Sequence, residues 1–286
     1  MSEALMQLAF AGLSPRRVDA LLATHGTAEA VVRAVASRRT SLPEAVISAI
    51  RVPAHERSSA LEVLGVTWVP QCSAVYPQRL RRFDDAPRWL FVRGTVREGP
   101  SIAVVGTRTC TPYGIELAEA YGAVAAQAGW TVVSGLAKGI DHAAHTGAVA
   151  VGGPCHAILG SGIDVVYPRR HRDLYQAIMA GGGAICSEYP PGTRPDAWRF
   201  PTRNRIIAGM VDVVLVVEAG AKGGALITAR IALDYGVPVF ASPGDVDRPA
   251  SIGTNALIRD GAFPVFDGVD LAQVLDLISP FAAGAA

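Results

Sequence analysis

The sequence predicts an α/β protein: an extended Rossmann-like parallel sheet with helices on both faces, preceded by a small helical domain. Three observations predict it. From Ser101 onward, short β-branched runs alternate regularly with amphipathic helical segments, the pattern of a parallel sheet covered on both faces. Several of those runs end in a glycine-containing turn that opens the next helix, as in SIAVVGT, TVVSGLAKG and VVLVVEAGAKGG. Residues 1–60 instead carry apolar positions at helical spacing.

Taken in order, LMQLAF, VDALLATHG and AEAVVRAVAS are three helical stretches broken by Gly12, Pro15 and Gly26. They suggest a helix-hairpin-helix or SAM-like module over residues 1–60, either a backbone-binding hairpin or a small packing bundle. Residues 61–286 form the second unit. Val66–Val69 and Leu90–Val92 are short strands of an N-terminal extension, with prolines marking the turns between them. Then come the strands SIAVV, TVVS, CHAIL, AICSE, VDVVLVVEA, VPVFA and PVF. Between them lie the helices PYGIELAEAYGAVAAQ, IDHAAHTGAVAV, RDLYQAIMA, TRNRIIAGM, GALITARIALDY and SIGTNALIRD, and a short helix follows the last strand. Right-handed crossovers in such a sheet put the ligand loops at the carboxyl ends of the strands.

At 286 residues the chain is long enough for one large α/β domain and a small satellite. Half of its residues are hydrophobic, and no apolar run reaches the ~20 residues a membrane span needs. Basic residues follow the apolar stretch of MSEALMQLAFAGLSPRR, the reverse of a secretory signal. The expectation is a cytoplasmic protein. Cys72, Cys110, Cys155 and Cys186 are scattered with no C-x-x-C pair, so they read as buried thiols and not as a disulfide or zinc framework. The net charge of +1 excludes a polycation that coats nucleic acid indiscriminately. Any anion site in the larger unit is therefore a local pocket. Only two of the 26 basic residues are lysines, Lys138 and Lys222, and both stand in glycine loops. A compact ammonium on a flexible stem suits close approach to a phosphate.

Four turns carry the chemistry. The first is Val105–Thr109, where Gly106 lets the backbone approach an anion at a helix N-terminus, Thr107 follows, and Arg108 adds a bidentate fork. It is not a dinucleotide fingerprint, because the next glycine is Gly114. The second is Ser134–Asp141, where the Ser134 hydroxyl, the Gly135 and Gly139 amides and Lys138 are placed to converge on one phosphate and Asp141 falls at the helix start. It lacks the G-K-[ST] of a nucleotide-hydrolysing loop. The third is Phe200–Ile207, where Thr202 is a candidate cap, Arg203 and Arg205 bring charge, and Asn204 both donates and accepts. Trp198 and Phe200 stand beside these cations as candidate base-stacking residues, a pairing that suits single-stranded nucleic acid. Tyr189 lies just upstream. The fourth is Glu218–Thr228, with Lys222 and Gly223 at its tip and Glu218 as a general base, a partner of Lys222 or a residue that holds the loop. His142 and His145 share one helix face. Metal binding by them would need a third ligand, and a packed histidine is the simpler reading.

Together these turns resemble the DprA/Smf DNA-processing family. The segments that carry the resemblance are IAVVGTR, VVSGLAKGIDHAAH, AILGSGIDVVYPRRHRDLY, SEYPPG, FPTRNRIIAG, VVLVVEA, GALITARIA and SPGDVDRPASIGTNALIRDGA, in unbroken order over about residues 60–265. The resemblance implies a non-enzymatic protein that binds single-stranded DNA, protects incoming strands in natural transformation and loads the RecA recombinase on them. It implies dimerisation through the Rossmann-like domain, no metal or cofactor, and phosphate contacts at Arg108, Lys138, Asn204 and Arg205. Thr107 and Gly223 depart from the serines usual in the family. The winged-helix domain that many members carry at the C-terminus is expected to be missing. Two other readings compete. A nucleotide-processing phosphoribohydrolase would need a catalytic glutamate on the helix after the fourth turn, and that helix has no acid before Asp234. A non-catalytic nucleotide sensor would need a closed base pocket.

Overall fold

A computed structural model describes residues 2–37 and 39–283, with side chains as far as Ser279. Five helices open the chain: α1 (Glu3–Ala9), α2 (Pro15–His25), α3 (Ala28–Ala36), α4 (Glu44–Arg51) and α5 (Ala54–Val63). The first three are those the apolar spacing predicts. The last two begin immediately after Pro43 and Pro53, whose fixed φ suits a helix start. The fifth runs past residue 60 to Val63, so the helical unit extends slightly beyond its expected boundary. Ser2 and Thr27 cap their helices by accepting from Leu5 N and Ala30 N. The buried Leu8, Val31, Val35 and Ile50 form one continuous core with residues of the sheet, including Trp68 and Phe91. Phe10 meets Phe91 edge to face at 5.4 Å.

The sheet contains β1 (Thr67–Pro70), β2 (Trp89–Gly94), β3 (Ser101–Val105), β4 (Thr131–Ser134), β5 (Cys155–Leu159), β6 (Ala184–Ser187), β7 (Val213–Val216), β8 (Val239–Ala241) and β9 (Phe263–Pro264). Its order is β1-β2-β6-β5-β4-β3-β7-β8-β9. The strands from β3 to β9 pair in parallel with one another, but β2 is antiparallel to both β1 and β6. The expected parallel sheet thus carries an antiparallel extension, supplied by β1 and β2. The later helices are α6 (Pro112–Gln127), α7 (Ile140–Ala150), α8 (Arg172–Ala180), α9 (Arg199–Gly209), α10 (Gly224–Asp234), α11 (Ile252–Arg259) and α12 (Gly268–Ala283).

Side chains alternate across the sheet. On β3, Ile102 and Val104 join the core under α6 and α7, while Ala103 and Val105 join the opposite core with Ile206 of α9 and Ala229 of α10. Burial on both faces is why these strands read as continuous apolar runs. From β3 the chain steps outward through β4, β5 and β6, then returns to the other side of β3 to lay down β7, β8 and β9. The order therefore reverses between β3 and β7, and a crevice opens there at the carboxyl ends of the strands.

Candidate nucleic-acid interface

The first and fourth glycine turns follow β3 and β7, the strands on either side of that reversal. Thr107 N donates to Glu218 O at 2.8 Å. The buried Glu218 carboxylate accepts from Thr111 N at 2.9 Å and from Thr111 Oγ1 at 2.6 Å. The same Thr111 oxygen accepts from Gly114 N at 3.0 Å, capping α6. Glu218 therefore holds the two turns together and is not bonded to Lys222. The second turn packs against the first: Gly139 has φ +88°, and a Cβ on it would stand 2.4 Å from Thr107 O. Only glycine fits there.

These turns frame an open cleft of about 760 Å³, whose lining includes Gly106, Thr107, Arg108, Phe200, Lys222 and Gly223. Arg108 is exposed, with its guanidinium 4.8 Å from the centroid of the Phe200 ring. This cation–π contact orients the fork and leaves its donors toward the opening. Arg108 also lines an adjoining groove of about 410 Å³, shared with Lys138, Gly139, His142, Arg170 and His171. Among the described residues no carboxylate lines that groove. The acid lining the cleft, Asp141, is buried against Arg203. Cleft and groove make one cationic track running from Lys222 across Arg108 to Lys138. Arg230 on the cleft wall and Arg170 in the groove belong to this track but were not singled out in the sequence. Each is one arginine in a helical or turn segment among many, and only the fold aims it.

Several expected contacts lie elsewhere. Ser134 is fully buried and its hydroxyl donates to Val104 O at 2.7 Å, so it is removed from the phosphate site. The Gly135 amide donates to Asp141 Oδ2 at 3.1 Å and is likewise committed. Arg203 lines the cleft wall but is 3% exposed, and its Nε and Nη1 donate to partners within the protein. Its burial pulls its pKa down to about 10, opposed by Asp141, so it stays charged at neutral pH. Asn204 lines the cleft, but its Nδ2 donates to Gly224 O at 3.0 Å and its Oδ1 accepts from Arg203. Arg205 leaves the track altogether. It pairs with buried Glu188 at 2.6 Å and donates to Asp85 O at 2.9 Å. Thr202 is inside α9 and donates to Trp198 O instead of capping the helix. The two aromatics also part. Phe200 faces Arg108, while the half-exposed Trp198 sits under Arg199 and against Tyr189, by a small cavity beside α2.

His145 is fully buried beside the Ser134 backbone, and burial pulls its pKa down to about 3. His142 lies 4.3 Å from the His171 ring, and His171 Nδ1 is 2.9 Å from Leu136 O. Among the described residues no cluster of three or more His, Cys, Asp or Glu could hold a metal ion. Cys155 and Cys186 are buried, whereas Cys72 is exposed and Cys110 half-buried, so the buried-thiol reading fits two of the four. No helix among the described residues is long and apolar enough to cross a membrane.

Residues 68–276 match the family model for DNA recombination-mediator protein A. The chain is 42% identical over 209 residues to the protein Smf of Escherichia coli, covering 72% of this chain and 56% of that protein. It is 37% identical over 214 residues to the DNA processing protein DprA of Bacillus subtilis, covering 74% of this chain and 72% of the relative. The chain thus spans little more than half of the Escherichia coli relative's length. Among solved structures, DprA from Streptococcus pneumoniae superposes with a TM-score of 0.76 at 31% identity, covering 96% of this chain and 98% of that one. DNA processing protein A from Helicobacter pylori, described for its single-stranded DNA binding mode, superposes with a TM-score of 0.67 at 27% identity, covering 75% and 97%.

Proposed function

The chain belongs to the DNA recombination-mediator protein A family, and from that premise we propose that it binds single-stranded DNA along the track from Lys222 across Arg108 to Lys138. The observation that carries the reading is the position of Arg108. It stands at the topological switch point, shared by cleft and groove, with its guanidinium over the Phe200 ring. A flexible strand can thread phosphates past Arg108, Lys138 and Lys222 while a base reaches Phe200. A duplex is too stiff and too wide to follow loops this closely packed, and none of the basic residues of the track forms a recognition helix for a major groove. The phosphate-binding residues are then Arg108, Lys138, Lys222, Arg170 and the exposed backbone at Gly223. Asn204 orders the rim.

The wider role is that of a DNA-processing protein that protects incoming single strands in natural transformation and loads RecA on them. It would act in the cytoplasm as a homodimer through the Rossmann-like domain and without catalysis. Family membership supports this part, and so does the Helicobacter pylori relative described as binding single-stranded DNA. The phosphoribohydrolase reading has less to stand on, because Glu218 is spent on Thr111 and Asp141 on Arg203.

Competition binding tests the proposal. Purified protein on a labelled single-stranded oligonucleotide is challenged with unlabelled single strand and duplex at equal nucleotide concentration and several salt concentrations. Single strand should displace the probe far better than duplex. The affinity should fall linearly with salt on a log–log scale, each phosphate contact contributing a slope of about 0.7. Equal competition by duplex would contradict the reading.

A further inference from the structure

Arg203 is 3% exposed at the cleft wall, and its fork touches most of the framework that carries the cleft. Nη1 donates to Gly135 O at 2.8 Å and to Ile158 O, at the carboxyl ends of β4 and β5. Nη2 stands 3.8 Å from Asp141 Oδ2, and that same oxygen accepts the Gly135 amide at 3.1 Å. Nε donates to Asn204 Oδ1 at 3.0 Å. Asn204 continues the connection by donating to Gly224 O at 3.0 Å, at the start of α10. One chain of bonds therefore runs from β5, through the turn that carries Lys138, to the turn that carries Lys222. The fit leaves no slack: a Cβ on Gly135 would stand 2.0 Å from Arg203 Nη2. A planar fork of five donors meets this set of carbonyls and carboxylate in one rigid group, which a lysine cannot do. Burying an ion is costly unless its donors are matched in this way.

We infer that Arg203 is a positioning residue, a buried guanidinium pin that fixes the separation of the Lys138 and Lys222 turns so that both ammonium groups meet one strand. The inference rests on the cleft reading above. A lysine side chain is flexible, so what the fold can preorganise is the backbone from which each one springs. With the pin in place, two phosphates of one strand are met together. Without it, each lysine acts alone.

The test uses the full chain with Arg203→Met, Asn204→Ala, Lys138→Ala and Lys222→Ala, binding a labelled oligothymidylate by fluorescence anisotropy across a salt series. It is run at a temperature where near-ultraviolet circular dichroism shows each variant folded. Arg203→Met should weaken binding by about 10-fold and lower the salt slope by about one phosphate contact, although Arg203 touches no DNA. Lys222→Ala should cost about 10-fold in the native background but little in the Arg203→Met background, a coupling that simple destabilisation does not produce. If Arg203→Met does not fold, Asn204→Ala carries the test. It keeps the Arg203–Asp141 pair, cuts the link to Gly224, and should show a smaller loss with the same coupling to Lys222→Ala. Sensitivity to both lysines with strictly additive losses overturns the pin alone. Indifference of the native protein to both lysine substitutions overturns the cleft reading, and the pin with it.

Discussion

Arg205 is one residue from Asn204 in the chain, yet it does a different job. Its guanidinium meets Glu188, 6% exposed, and burial pushes that carboxyl above its ordinary range while Arg205 opposes the shift. Arg205→Ala would leave a buried, unpaired carboxyl, a loss of about 3–5 kcal/mol in stability. The urea midpoint should fall accordingly, while the folded variant binds single strand as the native protein does. An affinity loss matching that of Arg108→Ala, at an unchanged midpoint, would instead bring Arg205 into the interface. At this scale the sequence is readable where a residue has one available environment. Arg108 and Lys138 follow glycine turns at strand ends, and both are exposed there. It is unreadable where direction decides. Ser134 at the end of β4 and Arg203 and Arg205 within α9 have the right chemistry for phosphate, but each turns its polar group toward a partner inside the protein.

Among elements, the strands of the Rossmann-like core are legible because burial on both faces leaves only apolar, β-branched runs such as TVVS and VVLV. The helices between them are legible from the glycines and caps at their ends, as at Thr111 before α6. Three features were not. The antiparallel placing of β2 beside β6 is a matter of long-range pairing, which local periodicity does not encode. The split of Phe200 from Trp198 arises where the chain enters α9, Trp198 preceding the helix and Phe200 standing in its first turn. Helical dihedrals from Trp198 onward separate residues two apart by roughly 200° around the axis, so these two aromatics serve different surfaces. The groove holding Arg170 stayed hidden for a related reason: it exists only because the short 3-10 turn Arg169–His171 packs beside the second turn and the start of α7.

For the whole molecule, the sheet order creates the site, since the reversal between β3 and β7 sets three glycine turns and the start of α9 around one crevice. The same close packing makes the protein sensitive to acid. Burial holds His145 at about 3 and His156 at about 4, and His156 Nε2 accepts from Arg97 N, which requires the neutral ring. In the unfolded chain both titrate near 6.5. The unfolded state thus binds more protons below that pH, so stability is full above about 6.5 and is lost as pH falls toward the folded values. Each histidine contributes a slope of up to about 1.4 kcal/mol per pH unit. Urea unfolding of His156→Gln between pH 6.5 and 5 should show a shallower pH dependence than the native protein; an identical dependence would contradict this. The central claim, that the crevice and not diffuse charge holds the strand, is tested most directly by single-strand affinity of Arg108→Ala beside Arg33→Ala across a salt series. Arg33 is in α3, outside the track. Arg108→Ala should lose about 10-fold or more at fixed salt and about one phosphate contact from the slope, while Arg33→Ala changes neither. Equal losses in the two variants, or none in Arg108→Ala at an unchanged melting temperature, would contradict the account.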